Sequence, residues 1–298
     1  MNLGYACINT ALSANKIMTN RTMRRKTFDA KGIDYVSDLA LLNVKDLKTI
    51  IQWNNEMGIK LFRLSSQIFA WSDEYKLSDL KDYDEICSMM LEIGKIATDA
   101  NQRLTMHPGP YNCLASPNQK VVEKTIRELN CHSEQFNMLG FKPSNYNKIN
   151  IHVGGAYGDK KGTLERFCKN FELLNDDTKK RLVIENDDSP NEYSVKDLFD
   201  GIYQTIGIPI TFDYFHHKFN TGGLTEEEAL KMAAITWPEG IAQCCHYSES
   251  RRKEKLDESI RPQAHSDIIY EKIQTYGLEP DIVIEAKLKE QAIFNRVI

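Results

Sequence analysis

The sequence predicts an α/β fold, specifically a closed (β/α)8 barrel of the TIM type, from three observations. Short apolar runs alternate with longer amphipathic stretches along all 298 residues, as expected for parallel strands joined by helical crossovers. Eight runs have the length of strands, and eight strands in a chain of this size favour a closed barrel over an open sheet. No GxGxxG sequence opens the first helix, which argues further against a dinucleotide-binding open sheet.

The predicted strands are short runs of apolar and β-branched residues: Leu3–Ala6, Lys60–Leu64, Arg103–His107, Lys148–Val153, Leu182–Asn186, Ile210–Tyr214, Ala242–Tyr247 and Ile282–Ala286. Helical periodicity covers residues 36–57, 82–100, 118–139, 163–174, 194–206, 225–236 and 266–276. Two helix starts carry clear signals, since Ser194 precedes an acidic first turn and Thr225 forms a capping box with Glu228. Neither a linker nor a repeat interrupts the pattern, so we expect one domain over residues 1–298.

Charge and cysteine content limit the class of protein. The formal net charge is −4, so the chain lacks the overall excess of basic residues that would indicate a nucleic-acid-binding protein. Local basic patches remain compatible with this value, because a net charge does not show how the charges are distributed. The seven cysteines form no CxxC pair, which argues against a disulfide framework or a zinc ribbon and favours a reducing, intracellular setting. We expect no membrane association, because no stretch approaches the ~18 apolar residues of a membrane span and no secretory signal pattern opens the sequence.

Six successive predicted strands carry a histidine, an aspartate or a glutamate near the carboxyl end: His107, His152, Glu185, Asp213, His246 and Glu285. His216 follows Asp213 by three residues. In a barrel these strand ends converge on one face, where the connecting loops build the active site. Charged groups there would each cost several kcal/mol if they were unpaired, whereas bound cations would neutralise them together. The pattern therefore predicts a multinuclear metal site.

The ligand types narrow the chemistry of this site. Imidazole and carboxylate groups without an organised set of thiolates suit Zn²⁺, Mn²⁺ or Fe²⁺ in a reactive site rather than a structural zinc site. Several such groups around neighbouring ions suit the hydrolysis of phosphoesters. Two other histidines fit ordinary structural roles, because His132 lies within a predicted helix and His217 faces away from its neighbour His216.

Nine stretches, in order and over nearly the whole chain, resemble the family of ultraviolet-damage DNA endonucleases: LGYACIN near the start, FRLSSQIF at 62–69, MHPGPY, IHVGGAYG at 151–158, IENDD at 184–188, FDYFHHKFN at 212–220, HYSE at 246–249, RPQAH at 261–265 and VIEAKLKEQA at 283–292. The resemblance implies a metal-dependent barrel related to endonuclease IV. Such an enzyme would nick the phosphodiester on the 5′ side of pyrimidine dimers, of 6-4 photoproducts and often of abasic sites.

The resemblance also implies roles for individual residues. It places His107, His152 and Glu185 at one ion. It places Glu185, as a bridge, with Asp213, His246 and Glu285 at a second ion, and His216 and His265 at a third. Glu185, His107 and His246 would be the catalytic residues. The implied cofactors are two or three divalent ions, with manganese favoured and magnesium, zinc or iron as alternatives, and no nucleotide cofactor.

This sequence departs from the family pattern at two positions. Cys244 stands two residues before the histidine of the seventh strand, where family members often carry a lysine that helps to bind metal. Either a thiolate ligand or a small buried packing residue is compatible with that position. Pro110 replaces the glutamine of the family's His-Pro-Gly-Gln-Tyr motif, which probes the duplex at the lesion.

The resemblance implies damaged double-stranded DNA as the partner. We expect the protein to be a monomer and to lie in the compartment that contains the genome. Apolar or aromatic wedges fill the gap that an extruded lesion leaves in the duplex. The expected DNA-binding residues are Tyr5, Asn9, Pro110, Tyr111 and Lys287. Phosphate contacts are expected from residues 21–26, from residues 158–162 and from Lys289. Two alternatives remain: a metal-dependent sugar isomerase or epimerase on the same barrel, and a lesion-binding protein that does not cleave.

Overall fold

A computed structural model describes residues 1–294, and in it eight parallel strands surround a common axis. They are β1 (Leu3–Ala6), β2 (Leu61–Leu64), β3 (Arg103–Met106), β4 (Ile149–Ile151), β5 (Leu182–Glu185), β6 (Ile210–Thr211), β7 (Cys244–Tyr247) and β8 (Asp281–Ile284). The hydrogen-bonded order is β6-β5-β4-β3-β2-β1-β8-β7. A parallel bridge between Asp213 and His246 joins the two ends, with the His246 amide donating to the Phe212 carbonyl at 3.0 Å. The predicted (β/α)8 barrel is confirmed.

The helices lie on the connections between strands. They are α1 (Thr10–Ser13), α2 (Arg25–Glu56), α3 (Tyr83–Asp99), α4 (Gln119–Met138), α5 (Lys160–Phe171), α6 (Asp176–Lys179), α7 (Val195–Leu198), α8 (Gln204–Ile206), α9 (Tyr214–His217), α10 (Glu226–Ala234), α11 (Arg251–Lys255) and α12 (Glu290–Phe294). The predicted capping box of Thr225 with Glu228 is present, and Ser194, predicted to precede a helix, forms a second one with Asp197. Within residues 1–294, no helix is both long and apolar enough to cross a membrane.

Successive residues of a strand face opposite sides of the barrel wall, so the strands contribute to two separate apolar clusters. Residues such as Phe62, Leu104 and Ile184 belong to the large apolar core, which also contains residues of the surrounding helices. Residues one position away belong to a smaller cluster that includes Val183 and Cys244. Above this smaller cluster, the inward positions near the strand ends are polar, and this layer forms the candidate site.

The predicted helix at residues 266–276 is wrong, because this segment is an extended loop. Its amide groups bond to glutamate side chains instead of helical carbonyls. The amides of Tyr270 and Glu271 donate to the Glu249 carboxylate at 2.7 and 2.9 Å, and the amide of Asp267 donates to the Glu254 carboxylate at 3.0 Å. Tertiary partners therefore override the local helical periodicity.

The start of one helix and the ends of several strands also differ from prediction. Helix α2 begins eleven residues earlier than position 36, at Arg25, with a break at Gly32, where φ is +67° and glycine has no steric penalty. Several strands end one to three residues before the predicted position: β3 ends at Met106 and β6 at Thr211. His107 and Asp213 therefore follow the regular strands, at the level where the loops begin to diverge.

Candidate metal centre

All eight residues predicted to bind metal gather at the carboxyl ends of the strands, around the Glu185 carboxylate. His107 Nε2 lies 3.3 Å from Glu185 Oε2, and His152 Nε2 lies 3.7 Å from the same atom. His246 Nδ1 and His216 Nδ1 lie 3.0 and 3.6 Å from Glu185 Oε1. Glu185 is thus the centre of the cluster.

The other three predicted ligands extend this centre outwards. Asp213 Oδ2 lies 3.9 Å from His216 Nδ1, and Glu285 Oε1 lies 3.4 Å from His246 Nδ1. His265, in the loop before β8, reaches Glu285 Oε2 at 3.8 Å through its Nδ1. Asp213 and His246 are fully buried, whereas the side chain of His265 is 28% exposed, so the cluster runs from the barrel interior to its mouth.

Two groups of ligand atoms are compact enough to hold a metal ion among the described residues. One consists of His107, Glu185 and His246, and the other of His152, Glu185 and His216, with atoms within 4.8 Å of one another in each. Both groups share Glu185, as expected for a bridging carboxylate. The histidines are distributed differently from the expectation, which placed His107 and His152 together and His216 with His265.

Backbone carbonyls orient two of the histidine rings. His107 Nδ1 lies 2.9 Å from the Pro108 carbonyl oxygen, and His216 Nδ1 lies 2.8 Å from the Asn186 carbonyl oxygen. A carbonyl can only accept, so Nδ1 carries a proton in each ring, and Nε2 is the nitrogen left to bind a cation. Such a second partner for the ring is typical of histidines that ligate metals.

The Nδ1 atom of His265 also lies at a backbone carbonyl, whereas that of His152 has a carboxylate as its neighbour. His152 Nδ1 lies 2.7 Å from the Asp187 carboxylate, and His265 Nδ1 lies 3.0 Å from the Glu285 carbonyl oxygen. Their Nε2 atoms are therefore the free ligand atoms. Four of the five histidines thus offer Nε2 to a cation.

His246 has the opposite orientation. Its Nδ1 faces the Glu185 carboxylate, and its Nε2 lies 3.1 Å from Lys148 Nζ. Lys148 is completely buried and also bonds to Thr211 Oγ1 at 2.8 Å. Burial lowers the pKa of Lys148.

The pKa values of two carboxyl groups in the cluster, those of Glu185 and Asp213, are shifted in opposite directions. Burial would raise the pKa of Glu185, but His246 and His152 outweigh it and hold that pKa well below its usual range. Burial raises the pKa of Asp213 to about 7, against the opposing effect of His216. Burial also lowers the pKa of His152, but Glu185 and Asp187 outweigh it and raise that pKa to about 10. The cluster therefore retains charge in the barrel interior, where charge is costly without compensation.

Two atoms in the cluster lack a hydrogen-bond partner of good geometry within the described part of the chain: Asp213 Oδ2, and His152 Nδ1, which still lies 2.7 Å from the Asp187 carboxylate. Asp213 Oδ2 is buried and unpaired, while Oδ1 accepts from the amides of Phe215 and His216 at 2.7 and 2.8 Å. A buried carboxylate oxygen without a donor is costly unless a cation satisfies it. This oxygen and the free imidazole nitrogens fit divalent metal ions with mixed nitrogen and oxygen ligands.

A cavity of about 320 Å³ opens above the cluster and is bounded on one side by the turn from Pro108 to Asn112. On the other side of this turn lies a second cavity, of about 520 Å³, which Trp71 and Phe69 help to line. Tyr111 lies at the tip of the turn and is 89% exposed. An aromatic ring so exposed beside a cluster of metal ligands is available to a large partner.

Two residues that were predicted to contact DNA, Tyr5 and Asn9, are buried inside the protein. Tyr5 and Asn9 are 0% and 1% exposed, and Asn9 Nδ2 donates to the Tyr5 hydroxyl at 2.9 Å. The Tyr5 hydroxyl in turn donates to Asn54 Oδ1 at 2.7 Å. The expectation that both side chains touch DNA directly is not met in this conformation, because packing and hydrogen bonds keep them inside the protein.

The basic segments divide into paired and unpaired side chains. Lys287 is exposed immediately after β8, near the cluster. Arg21 and Arg25, in contrast, form ion pairs with Asp46 at 2.6 Å and with Glu74 at 2.7 Å. Those two arginines are less available for phosphates than the sequence suggested.

Comparison with known proteins gives the family. A sequence model described as UV-endonuclease UvdE matches residues 1–297. This chain belongs to the UvdE family. A UV-damage endonuclease of Schizosaccharomyces pombe is 38% identical over 304 residues, covering 98% of this chain and 49% of that protein. The chain therefore spans about half of the length of this relative.

Solved structures agree with the assignment. The crystal structure of SacUVDE shares 30% identity with this UvdE chain, has a TM-score of 0.84 and covers 98% of this chain and 95% of its own. A D-psicose 3-epimerase from Clostridium cellulolyticum H10 has a TM-score of 0.56 at 12% identity, with 95% and 84% of the chains covered. The epimerase is similar in fold alone, whereas SacUVDE is also similar in sequence.

Sequence reasoning missed several side chains that contact the predicted ligands. Arg63 pairs with Glu285, and Asn150 Nδ2 donates to Glu185. Asp187 and Lys148 hold two of the histidines. A signal for two of them exists, because Lys148 and Asn150 precede His152 by four and two residues and share its inward face.

Proposed function

We propose that this chain hydrolyses the phosphodiester immediately 5′ of ultraviolet photoproducts in double-stranded DNA, with divalent cations bound at the Glu185 cluster. The observation that carries the proposal is the convergence of all eight predicted ligands at one mouth of the barrel in a UvdE family member. The substrates would be pyrimidine dimers, 6-4 photoproducts and abasic sites. Water adds to phosphorus, the bond to the 3′ oxygen breaks, and the products are a 3′-hydroxyl and a 5′-phosphate.

Two or three cations, with manganese favoured, would polarise the phosphate and lower the pKa of bound water. The residues of the chain prepare the site for them. Glu185 would bridge two cations, with His107 and His246 on one side and His152 and His216 on the other. Asp213, Glu285 and His265 would complete the coordination towards the mouth.

Lesion recognition is proposed for the turn that carries Tyr111. A photoproduct weakens stacking, so its extrusion from the duplex costs less than that of an intact base pair. Insertion of an aromatic side chain would then offset part of the unstacking cost of a few kcal/mol. The exposure of Tyr111 supports this role, and Pro110 provides a rigid apolar neighbour. Lys287 would bind a phosphate without reading sequence.

We further propose a monomer of one domain over residues 1–298, of which the last four lie outside the described residues. All eight predicted ligands come from a single chain, so the site needs no second copy. An intracellular location near the genome suits the seven cysteines, which are all free thiols.

The test is the incubation of the purified chain and Mn²⁺ with a labelled duplex that contains one pyrimidine dimer. We expect a single nick immediately 5′ of the dimer, and its loss with a chelator or in His107→Ala. His132→Ala is the matched control, since His132 is buried in α4 with its Nδ1 at the Glu128 carbonyl oxygen, away from the cluster.

Other outcomes would point elsewhere. Binding of the damaged duplex without cleavage would favour a lesion-binding protein. Equal behaviour towards damaged and undamaged duplexes would contradict both DNA functions, and turnover of a ketose would then favour the epimerase alternative.

A further inference from the structure

Lys148 lies directly beneath the metal centre, where the sequence analysis assigned it no role. It precedes β4, is 0% exposed, and extends into the barrel towards β6 and β7. Its Nζ lies 2.8 Å from Thr211 Oγ1, 3.3 Å from Asn150 Oδ1 and 3.1 Å from His246 Nε2. A buried amine with three such neighbours has one fixed position.

Of the five histidines of the centre, His246 is the one that contacts Lys148. The other four rings are held at Nδ1 by a carbonyl or a carboxylate, and they offer Nε2. His246 is held at Nε2, by Lys148, and it offers Nδ1 to the side of Glu185 and Glu285, at 3.0 and 3.4 Å. If the ring turned by half a revolution about its Cβ–Cγ bond, carbon atoms would face both the carboxylates and the amine.

We propose that Lys148 is a positioning residue of the metal centre, which keeps the His246 ring in the orientation that offers Nδ1 to a cation beside Glu185. A neutral amine at this position would donate to Thr211 Oγ1 and Asn150 Oδ1 and accept from the Nε2–H of His246, which leaves the lone pair of Nδ1 for the cation. This inference rests on the metal-binding part of the proposed function.

Asn150 adds a second connection from the same strand. Its Nδ2 donates to the Glu185 carboxylate, while its Oδ1 faces Lys148. Lys148 and Asn150 therefore link His246 to Glu185 from below, on the side opposite to the cavity. Partners of this kind orient ligands, and their removal typically lowers metal affinity by about 10–100-fold.

The experiment is a calorimetric titration of Mn²⁺ into the metal-free protein, without DNA, for the wild type and Lys148→Met. Methionine keeps most of the volume of lysine and removes the amine. We expect the variant to bind the ion at the His107–Glu185–His246 group about 10–100-fold more weakly. Arg181→Met is the matched control, because Arg181 is another fully buried cation whose partners are Ser133, Asn137 and the Phe141 carbonyl. It should lower thermal stability and leave Mn²⁺ affinity unchanged.

A measurement on the wild type covers the case in which Lys148→Met does not fold. Nitrogen-15 NMR of labelled histidines in the Zn²⁺-loaded protein should assign Nδ1 of His246 as the metal-bound nitrogen and Nε2 as the protonated one. Coordination through Nε2, or a Lys148→Met variant with wild-type affinity, would overturn the inference and leave the proposed function intact. A wild type that binds neither Mn²⁺ nor Zn²⁺ would overturn the metal-dependent function itself.

Discussion

The histidines of the metal centre are oriented by groups that are not themselves predicted ligands. Carbonyl oxygens of Pro108 and Asn186 hold two rings, and the Asp187 carboxylate holds a third. A histidine without such a partner rotates between orientations and loses entropy when a metal binds. The residues next to the ligands therefore affect affinity as well as the ligands themselves.

The variant Asp187→Asn tests whether a residue beside a ligand affects metal affinity. An amide in place of the carboxylate removes the negative charge beside His152 Nδ1, so the ring is held less firmly and is a weaker ligand. We expect Mn²⁺ affinity to fall by about 10-fold or more, measured by calorimetry. Asp188→Asn removes the same charge from the wall of the same cavity and should bind Mn²⁺ like the wild type. Equal losses in both variants would indicate a general charge effect instead.

Tyr111→Ala tests the proposed wedge. Loss of the ring should weaken binding to a dimer-containing duplex by roughly 10-fold, since base–aromatic stacking contributes about 1–3 kcal/mol. Mn²⁺ affinity should not change, because the side chain is exposed on the tip of its turn. Tyr111→Phe keeps the ring and should bind damaged DNA normally, as measured by fluorescence anisotropy. A defect in Tyr111→Phe as large as that in Tyr111→Ala would argue for a role of the hydroxyl.

At the scale of elements, the six strands β3 to β8 each bring a predicted ligand to the centre, because inward positions recur every second residue. Along β5, Val183 belongs to the inner apolar cluster, and Glu185, two residues later, is the centre of the metal site. The same spacing places Lys148 and Asn150 below His152. On β5 a polar inward position thus follows an apolar one, whereas the inward positions of Lys148, Asn150 and His152 are all polar.

Hydrogen bonds to one carboxylate, that of Glu249, hold much of the loop at residues 266–276 in place. Glu249 accepts the amides of Tyr270 and Glu271 and also the Tyr247 hydroxyl at 2.8 Å. This loop follows His265 directly, so its position helps to place that histidine at the mouth of the barrel.

Glu249→Ala should therefore destabilise the protein. Removal of the acceptor leaves these donors without a partner, and each buried unsatisfied group costs about 1–3 kcal/mol. We expect a lower midpoint in urea unfolding. Glu258→Ala, at a side chain that is 88% exposed, should leave the midpoint unchanged. A midpoint for Glu249→Ala equal to that of the wild type would show that the loop is held by other contacts.

At the scale of the whole molecule, a metal ion bound at the proposed site would be coupled to the fold. Three acidic and five imidazole side chains meet at one end of the barrel, and a cation that binds them binds only the folded state. Mn²⁺ at about 100 times its Kd should stabilise the fold by about 2.7 kcal/mol.

Chelation should reverse this stabilisation. We expect excess EDTA to lower the Tm by about 5 °C and to abolish cleavage, and added Mn²⁺ to restore both, as followed by circular dichroism and by the nicking assay. His107→Ala should respond less to EDTA, because it lacks one ligand. A Tm that is insensitive to both reagents would contradict a metal site in the folded chain.

The amino-acid sequence by itself determined the barrel and predicted which side chains gather at its mouth as proposed metal ligands. Strand and helix periodicities are local, and in a parallel barrel the ends of the strands must meet, so His107 and His246, whose ring centroids lie 5.8 Å apart, are predictable as neighbours although 139 residues separate them. The family motifs then supplied His265, which no periodicity indicates.

Only the tertiary structure decided how those side chains are held. The ring orientation of His246 depends on Lys148, 98 residues away, and the loop at 266–276 depends on Glu249 rather than on its own helical pattern. The burial of Tyr5 depends on Asn54 and the strands around it. Such contacts join distant segments, and periodicity within one segment carries no information about them because the packing of the whole barrel sets their distances.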